Sequence, residues 1–377
     1  MPFHARLFTN LEDLSPHASR WNELVQLSAG NSIFLTWEWL HAWSTYVAGD
    51  TRYFIVAVFD HQEQLQAVLP LYQSSFQLGK FISYKCLRPM GDCHCGAEYP
   101  DLISAPDTAE EALASINNCL HQYQEQWDCL YFRYVAGWTD AVSRLARLCT
   151  HKSLFFRQQE TVFSSILLPE SMELFNRGIS ASLYTLIRRQ KKKLERTGAI
   201  SISLCQQEQD LPMYLDSLFR LHKKRWQSVG QKGSFIRRPL MQDFYTRFAA
   251  TALRQGWLKI FALRIDSTIL AVQIGYFYDG IFYQLQEGFD PDGPGGLGNV
   301  LRHMVIDWCI THKVQEFDYL GGDEEHKLKW GARQRPGYHL FSGSRTPKNL
   351  LLAIADIWPS GRYITEGPPA SYGHSHD

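Results

Sequence analysis

Two stretches of this chain follow one pattern, and that repeat limits the fold more than anything else in it. FIVAVFDHQEQLQAVLPLY (54–72) aligns with KIFALRIDSTILAVQIGY (259–276). Each is an apolar strand that enters an Asp-led polar turn and leaves through Leu-x-Ala-Val or Leu-Ala-Val. Ala57 to Ala67 is one residue longer than Ala262 to Ala271, a difference that a turn absorbs. A hairpin present in both halves predicts two copies of one fold. Around it, helix-period and strand-period segments alternate, which predicts an α/β class with a mixed sheet. The 377 residues leave room for two domains side by side, at roughly 150 each. The expected division is 1–168, 169–360 and a flexible tail over 361–377.

Charge and cysteine usage narrow the function. Lysine plus arginine equal aspartate plus glutamate at 38 each, so no global field draws in nucleic acid or an anionic membrane. The eight cysteines lack disulfide-framework spacing, and several, such as Cys129 and Cys309, sit in apolar runs. Asp92-Cys93-His94-Cys95 is too tight for the common zinc knuckles, so no metal is expected. The N-terminus has no apolar h-region and no stretch approaches 18 apolar residues. A cytoplasmic protein without membrane insertion is expected; oligomeric state is not legible.

The informative segment is 281–330. A strand, IFYQLQEG, leads into the loop Gly293-Pro294-Gly295-Gly296-Leu297-Gly298, then a helix from Asn299 to about His312, then the strand EFDYL. Such a loop lets backbone amides converge on an anion, and the helix adds its positive dipole end. That is a pyrophosphate cradle in principle. An ordinary Gly-rich turn is the competing explanation, because the Walker lysine-serine and the Rossmann fingerprint are absent.

The whole segment resembles the central motif of GNAT acyltransferases. FDYLGGDEEHKLKWG (317–331) resembles the closing motif of the CelD-like branch within the FemAB-like superfamily, on Asp318, Gly322, Asp323, Glu324, Lys327 and Trp330. His326 stands where that branch has Tyr, and the loop departs from its Pro-Gly-small pattern. FLTWEWLHAW, AVLPLY, EYPDLI, LHKKRW and LQEGFDP are similar to family segments in the same order. The resemblance implies tandem GNAT-like domains meeting at a cleft, and direct transfer of an acyl group, acetyl above all, from acyl-CoA. The acceptor implied is an amine or hydroxyl on a small molecule or saccharide. An aminoacyl-tRNA-dependent FemAB-type ligase is the alternative, and a non-catalytic GNAT-fold binding module the second. Such ligases carry a long helical arm that is not found here.

Candidate residues follow. Gln284 and Gln286 on the strand, with Gly295, Gly296, Gly298 and Asn299, are the donor contacts the resemblance implies. Asp323, Glu287 and Glu324 are carboxylates that could act as base, against a reading as solvated loop acids; Lys327 could hold phosphate or polarise the acceptor. Glu98, Tyr99 and Asp101, with Trp39 and Trp226, are acceptor-side candidates, the tryptophans equally explained as core. The run Arg188-Arg189-Gln190-Lys191-Lys192-Lys193 is a solvated helix face or a polyanion grip.

Overall fold

The computed structural model describes residues 3–49, 51–79, 82–92, 94–355 and 357–359. Cys93 of the Cys-x-Cys pair and the 361–377 tail lie outside these residues. Along the chain the elements are β1 (His4–Phe8), α1 (Ala18–Leu27), α2 (Trp37–Tyr46), β2 (Arg52–Phe59), β3 (Leu65–Leu78), β4 (Ile82–Pro89), β5 (Ile103–Ser104), α3 (Ala109–Gln122), β6 (Cys129–Ala136), α4 (Ala141–Thr150) and β7 (Ser153–Leu167). There follow α5 (Met172–Gly178), α6 (Ala181–Glu195), β8 (Ile200–Leu204), α7 (Leu211–Ser228), α8 (Ser234–Arg237), α9 (Pro239–Arg254), β9 (Leu258–Ile265), β10 (Thr268–Tyr278), β11 (Ile281–Phe289), α10 (Leu297–Thr311), β12 (Glu316–Gly321), α11 (Glu325–Lys329), β13 (Arg333–Ser344) and α12 (Asn349–Ala355).

These elements form two compact units. One holds the described residues of Met1–Cys93, Ala97–Thr161 and Pro336–Asp377; the other holds His94–Gly96 and Val162–Arg335. In the first, the strand order is β1-β2-β3-β4-β6-β13, with β5 also on β3. In the second it is β7-β12-β11-β10-β9-β8. Both sheets are antiparallel except at one step, β4 against β6 and β11 against β12. The match is element for element, with β2–β3 equivalent to β9–β10, so the two hairpins read from the sequence are copies of one architecture. The chain enters the second unit within β7 and leaves it within β13. Residues 336–359 therefore belong with the first unit, where a division at 168/169 put them in the second. The sequence reading stopped at Trp330 and missed β13.

Burial explains the strands. Residues 54–59 of β2 are buried at every position, as a strand covered on both faces must be. In α10 the buried Val300, Leu301, Val305, Ile306 and Cys309 recur at helical spacing and pack with Phe261, Phe282 and Phe317 in the second core. The first core gathers Val56, Leu69 and Phe132 with Leu113 and Leu145. β5 is confined to Ile103–Ser104, and upstream of it Tyr99 takes a left-handed backbone, φ 61°.

Candidate active site

In the second unit, β11 and β12 pair only from Ile281↔Glu316 to Tyr283↔Asp318 and then part. β11 also bulges against β10, for Gly275 faces Gln284 while Ile274 faces Gln286, leaving Leu285 as the extra residue. β12 kinks away: the Leu320 N–H donates to Asp318 Oδ1 at 2.7 Å, with Leu320 at φ 62°. The result is a run, 284–289, whose edge toward β12 is left unpaired.

The loop that follows is pinned at its start. Lys224 Nζ reaches Asp290 Oδ1 at 2.5 Å, and the Asp292 N–H donates to the same oxygen at 3.0 Å. α10 begins at Leu297, two residues before the expected Asn299, so Gly298 lies in the first helical turn rather than in the loop. Gly296 is the N-cap residue at φ 106°, a conformation that favours glycine, and no side chain caps the helix. A Cβ on Gly295 would meet nothing within 4 Å, whereas one on Gly298 would lie 3.1 Å from the Phe289 ring. Gln190 of α6 flanks the loop. Its side-chain carbons lie 2.5–2.6 Å from where a Gly296 Cβ would stand, and its Oε1 accepts from Asn299 Nδ2 at 3.1 Å. Asn299 is thereby engaged within the protein. Arg188, Arg189 and Lys191–Lys193, on the same helix as Gln190, are exposed.

Beneath the parted strands lies a buried charge cluster. Glu287 Oε2 pairs with Arg302 Nη2 at 2.6 Å and its Oε1 with Arg225 Nη1 at 3.0 Å. Burial pushes the Glu287 carboxyl upward, but Arg302 and Arg225 outweigh it and hold the group below its ordinary range. A carboxylate so held is a poor proton acceptor, which makes Glu287 an anchor and not a base. The Arg302 guanidinium also lies 5.8 Å from the Tyr319 ring centroid and 5.4 Å from that of Trp330. Among the described residues, Gln284 Oε1, Arg302 Nε and the Tyr319 hydroxyl are buried without a hydrogen-bond partner. His222, behind β11, accepts from Trp226 Nε1 at 3.0 Å and is neutral, its pKa lowered to about 4 by burial and Arg225.

The other candidates divide. Lys327 is buried and donates to the Gly321 and Gly322 carbonyls at 3.1 and 3.2 Å while pairing with Glu324 at 2.8 Å. It closes the 321–324 turn and has no reach to spare for phosphate, contrary to the expectation. Asp323 is exposed on that turn and joins no ion pair or hydrogen bond among the described residues. Trp39 is fully buried, edge-on to Phe34 at 5.0 Å, and so is core. Tyr99 is likewise buried. Asp101 is buried against Arg144 and accepts from the Leu102 N–H at 2.7 Å, so its carboxylate has partners inside the first unit. Glu98 and Asp101 both line a cleft of that unit. Trp226 is half-buried, its indole N–H engaged by His222. Sequence reasoning missed Arg302, Arg225, Gln190 and Tyr319. Arg302, lying inside the apolar stripe VLRHMVI, was the signal that could have been read.

Residues 181–328 match the model of the acetyltransferase (GNAT) domain. Those residues are thus similar to a GNAT domain over less than half of the chain. No curated protein matches it. Its fold is similar to that of FemX, with a TM-score of 0.61 at 10% identity over 90% of this chain and 98% of that one. It is also similar to L-PGS from Bacillus licheniformis (0.53, 13% identity, 90% and 96% covered). A third likeness is to the C-terminal domain of a putative lysylphosphatidylglycerol synthetase from Agrobacterium fabrum (0.52, 13%, 91% and 95%). The GNAT resemblance read from the sequence stands over residues 181–328, the likeness to FemX is one of fold, and the mixed α/β class with two GNAT-like units stands as well. Among the described residues no helix is long and apolar enough to cross a membrane, and no group of three or more His, Cys, Asp or Glu could hold a metal ion.

Proposed function

We propose that this chain is an N- or O-acyltransferase of the CelD-like group that takes acyl-CoA, acetyl-CoA foremost, in its second unit. The observation that carries the reading is the parting of β11 from β12 after Tyr283, next to a glycine-led helix N-terminus with no capping side chain. The edge 284–289 offers unpaired backbone to an extended amide-bearing arm. The amides of 295–298 and the start of α10 suit a diphosphate. The three orphaned atoms on Gln284, Arg302 and Tyr319 suit a polar group between the strands, so the residues fit such a donor. The thioester supplies an activated acyl group. For the chain's own part, Asp323, of the candidate carboxylates the one with no partner among the described residues, takes the acceptor's proton, and Glu287 and Arg302 hold β11 to α10. A cytoplasmic setting belongs to the same proposal: the described cysteines are buried free thiols.

Gly295→Asp, whose Cβ would meet nothing within 4 Å, puts a carboxylate and its bulk into the open side of the loop where the diphosphate is proposed to sit. The thermal shift produced by CoA and acetyl-CoA should disappear while the unliganded Tm stays within a few degrees; an unchanged shift would move the donor elsewhere. The aminoacyl-tRNA alternative is favoured by the exposed cationic run of α6, tied through Gln190 to the loop. Tight tRNA binding with a steep salt dependence, alongside no CoA shift in the wild-type chain, would select it.

A further inference from the structure

The end of α6 holds charge that nothing inside the second unit uses. Six cations lie between residues 188 and 196, against one acid, Glu195. All six are exposed, and no ion pair among the described residues includes them. A solvated helix face ordinarily mixes its signs, so that residues four apart attract. Here Arg188–Lys192, Arg189–Lys193 and Lys192–Arg196 are like-charged at that spacing, and only Lys191–Glu195 is opposite. Like charges four apart repel until an anion lies between them. The helix dipole favours cations in the last turn, but it does not choose an edge of the helix. The sequence does choose one. Arg189, Lys193 and Arg196 recur at i, i+4 and i+7 and form a stripe along the edge beside Gln190. Arg188 and Lys192 fall on the opposite face.

Gln190 fixes where this stripe lies. It abuts Gly296 and accepts from Asn299 Nδ2, so α6 meets α10 at the first helical turn. From there α6 runs toward the end of the sheet from which the glycine turn springs. The Ala199 N–H donates to Asp266 Oδ1 at 3.0 Å, between β9 and β10, and the Asp290 N–H donates to the Leu270 carbonyl at 2.8 Å. At 1.5 Å per residue, Lys193 and Arg196 lie about 4.5 and 9 Å beyond Gln190 along the helix axis. On the other flank of the turn Lys224 is already held, by Asp290 at 2.5 Å and Asp292 at 3.0 Å. The uncommitted positive charge is therefore all on the α6 side. Backbone amides of the turn suit a diphosphate, whereas two guanidinium groups and an ammonium suit a compact dianion. A donor that satisfies both carries a phosphate monoester a short way from its diphosphate.

We propose that Arg189, Lys193 and Arg196 hold the 3′-phosphate of the donor's adenosine, so that the second unit selects CoA over its 3′-dephospho form. The proposal rests on the acyl-CoA reading. Calorimetry on the full chain with CoA and 3′-dephospho-CoA tests it. In about 50 mM salt CoA should bind at least tenfold more tightly, and the gap should narrow in about 300 mM salt, where exposed charges are screened. Lys193→Gln combined with Arg196→Gln should bring CoA down to the level of the dephospho form. The affinity for 3′-dephospho-CoA and the Tm should stay unchanged, because neither side chain has an ion pair to lose. Arg188→Gln combined with Lys192→Gln removes the same charge from the opposite face and should keep the preference. Loss of preference in both double variants alike would show a diffuse field in place of a site and overturn the proposal. Equal wild-type affinity for the two nucleotides would overturn it too, while leaving the acyl-CoA reading intact. Binding of neither would remove both, and tRNA binding lost in the Lys193/Arg196 variant would then assign the stripe to nucleic acid.

Discussion

Glu287→Gln separates an anchoring carboxylate from a catalytic one. The substitution keeps the shape of the side chain and removes its charge, which leaves Arg302 buried without a counter-ion. Breaking a buried pair from one side costs about 3–5 kcal/mol. Here the lower end applies, since the Glu287 side chain retains 14% exposure and Arg225 retains 30%. About 3 kcal/mol in a protein of this size lowers Tm by roughly 6–12 °C. The pH dependence has a fixed sign. The folded pKa of Glu287 lies below its unfolded value, so its stabilisation is complete above the unfolded pKa and is lost as pH falls through the folded one. The variant should therefore lie furthest below wild type near neutrality and converge with it in acid, measured by urea unfolding between pH 3 and pH 7. An unchanged Tm with activity abolished would refute the anchoring role and restore Glu287 as base.

Asp323→Asn removes the exposed carboxylate proposed as base. It should lower kcat about a hundredfold or more with Tm unchanged, and near-wild-type turnover would return the role to another group. Transfer should be direct: Cys309 is buried and its thiol is pushed well up by burial, so the thiolate nucleophile is missing. Initial-rate patterns should be sequential, and mass spectrometry after incubation with acetyl-CoA should find no adduct; ping-pong kinetics or an acylated thiol would contradict this.

Most of the fold was legible because period and burial agree. The α6, α7, α9 and α10 stripes, and the strands of both hairpins, carry their pattern locally. What escaped was non-local. β13 is recognisable as a strand of the first sheet only through its pairing with β6, more than 190 residues earlier. The glycine turn before α10 was legible in its glycines, but the start of the helix slipped by two residues because Gly298, a poor helix former, reads as loop. The candidate acids were harder. Nothing local distinguishes Glu287, doubly paired and buried, from Asp323, exposed and unpaired; partners contributed by α7 and α10 decide it. Lys327 looked like a phosphate ligand for the same reason, its true acceptors being backbone carbonyls of its own turn.

The two units show how one architecture is given two chemistries by small local changes. In each, two parallel strands pair briefly and then part, and a residue with positive φ redirects the second strand: Tyr134 in β6, Leu320 in β12. Topology thus parts a strand pair in both places. What fills the surroundings differs. After β11 the chain makes a short glycine turn straight into α10, and the exposed amides that result favour an extended polyanionic donor. After β4 a longer connection precedes α3, which begins at Ala109. Phe34, Met90 and Phe132 close in instead. On the proposed reading one donor per molecule follows, because among the described residues a glycine turn running straight into a helix N-terminus lies beside the parted strands of the second unit.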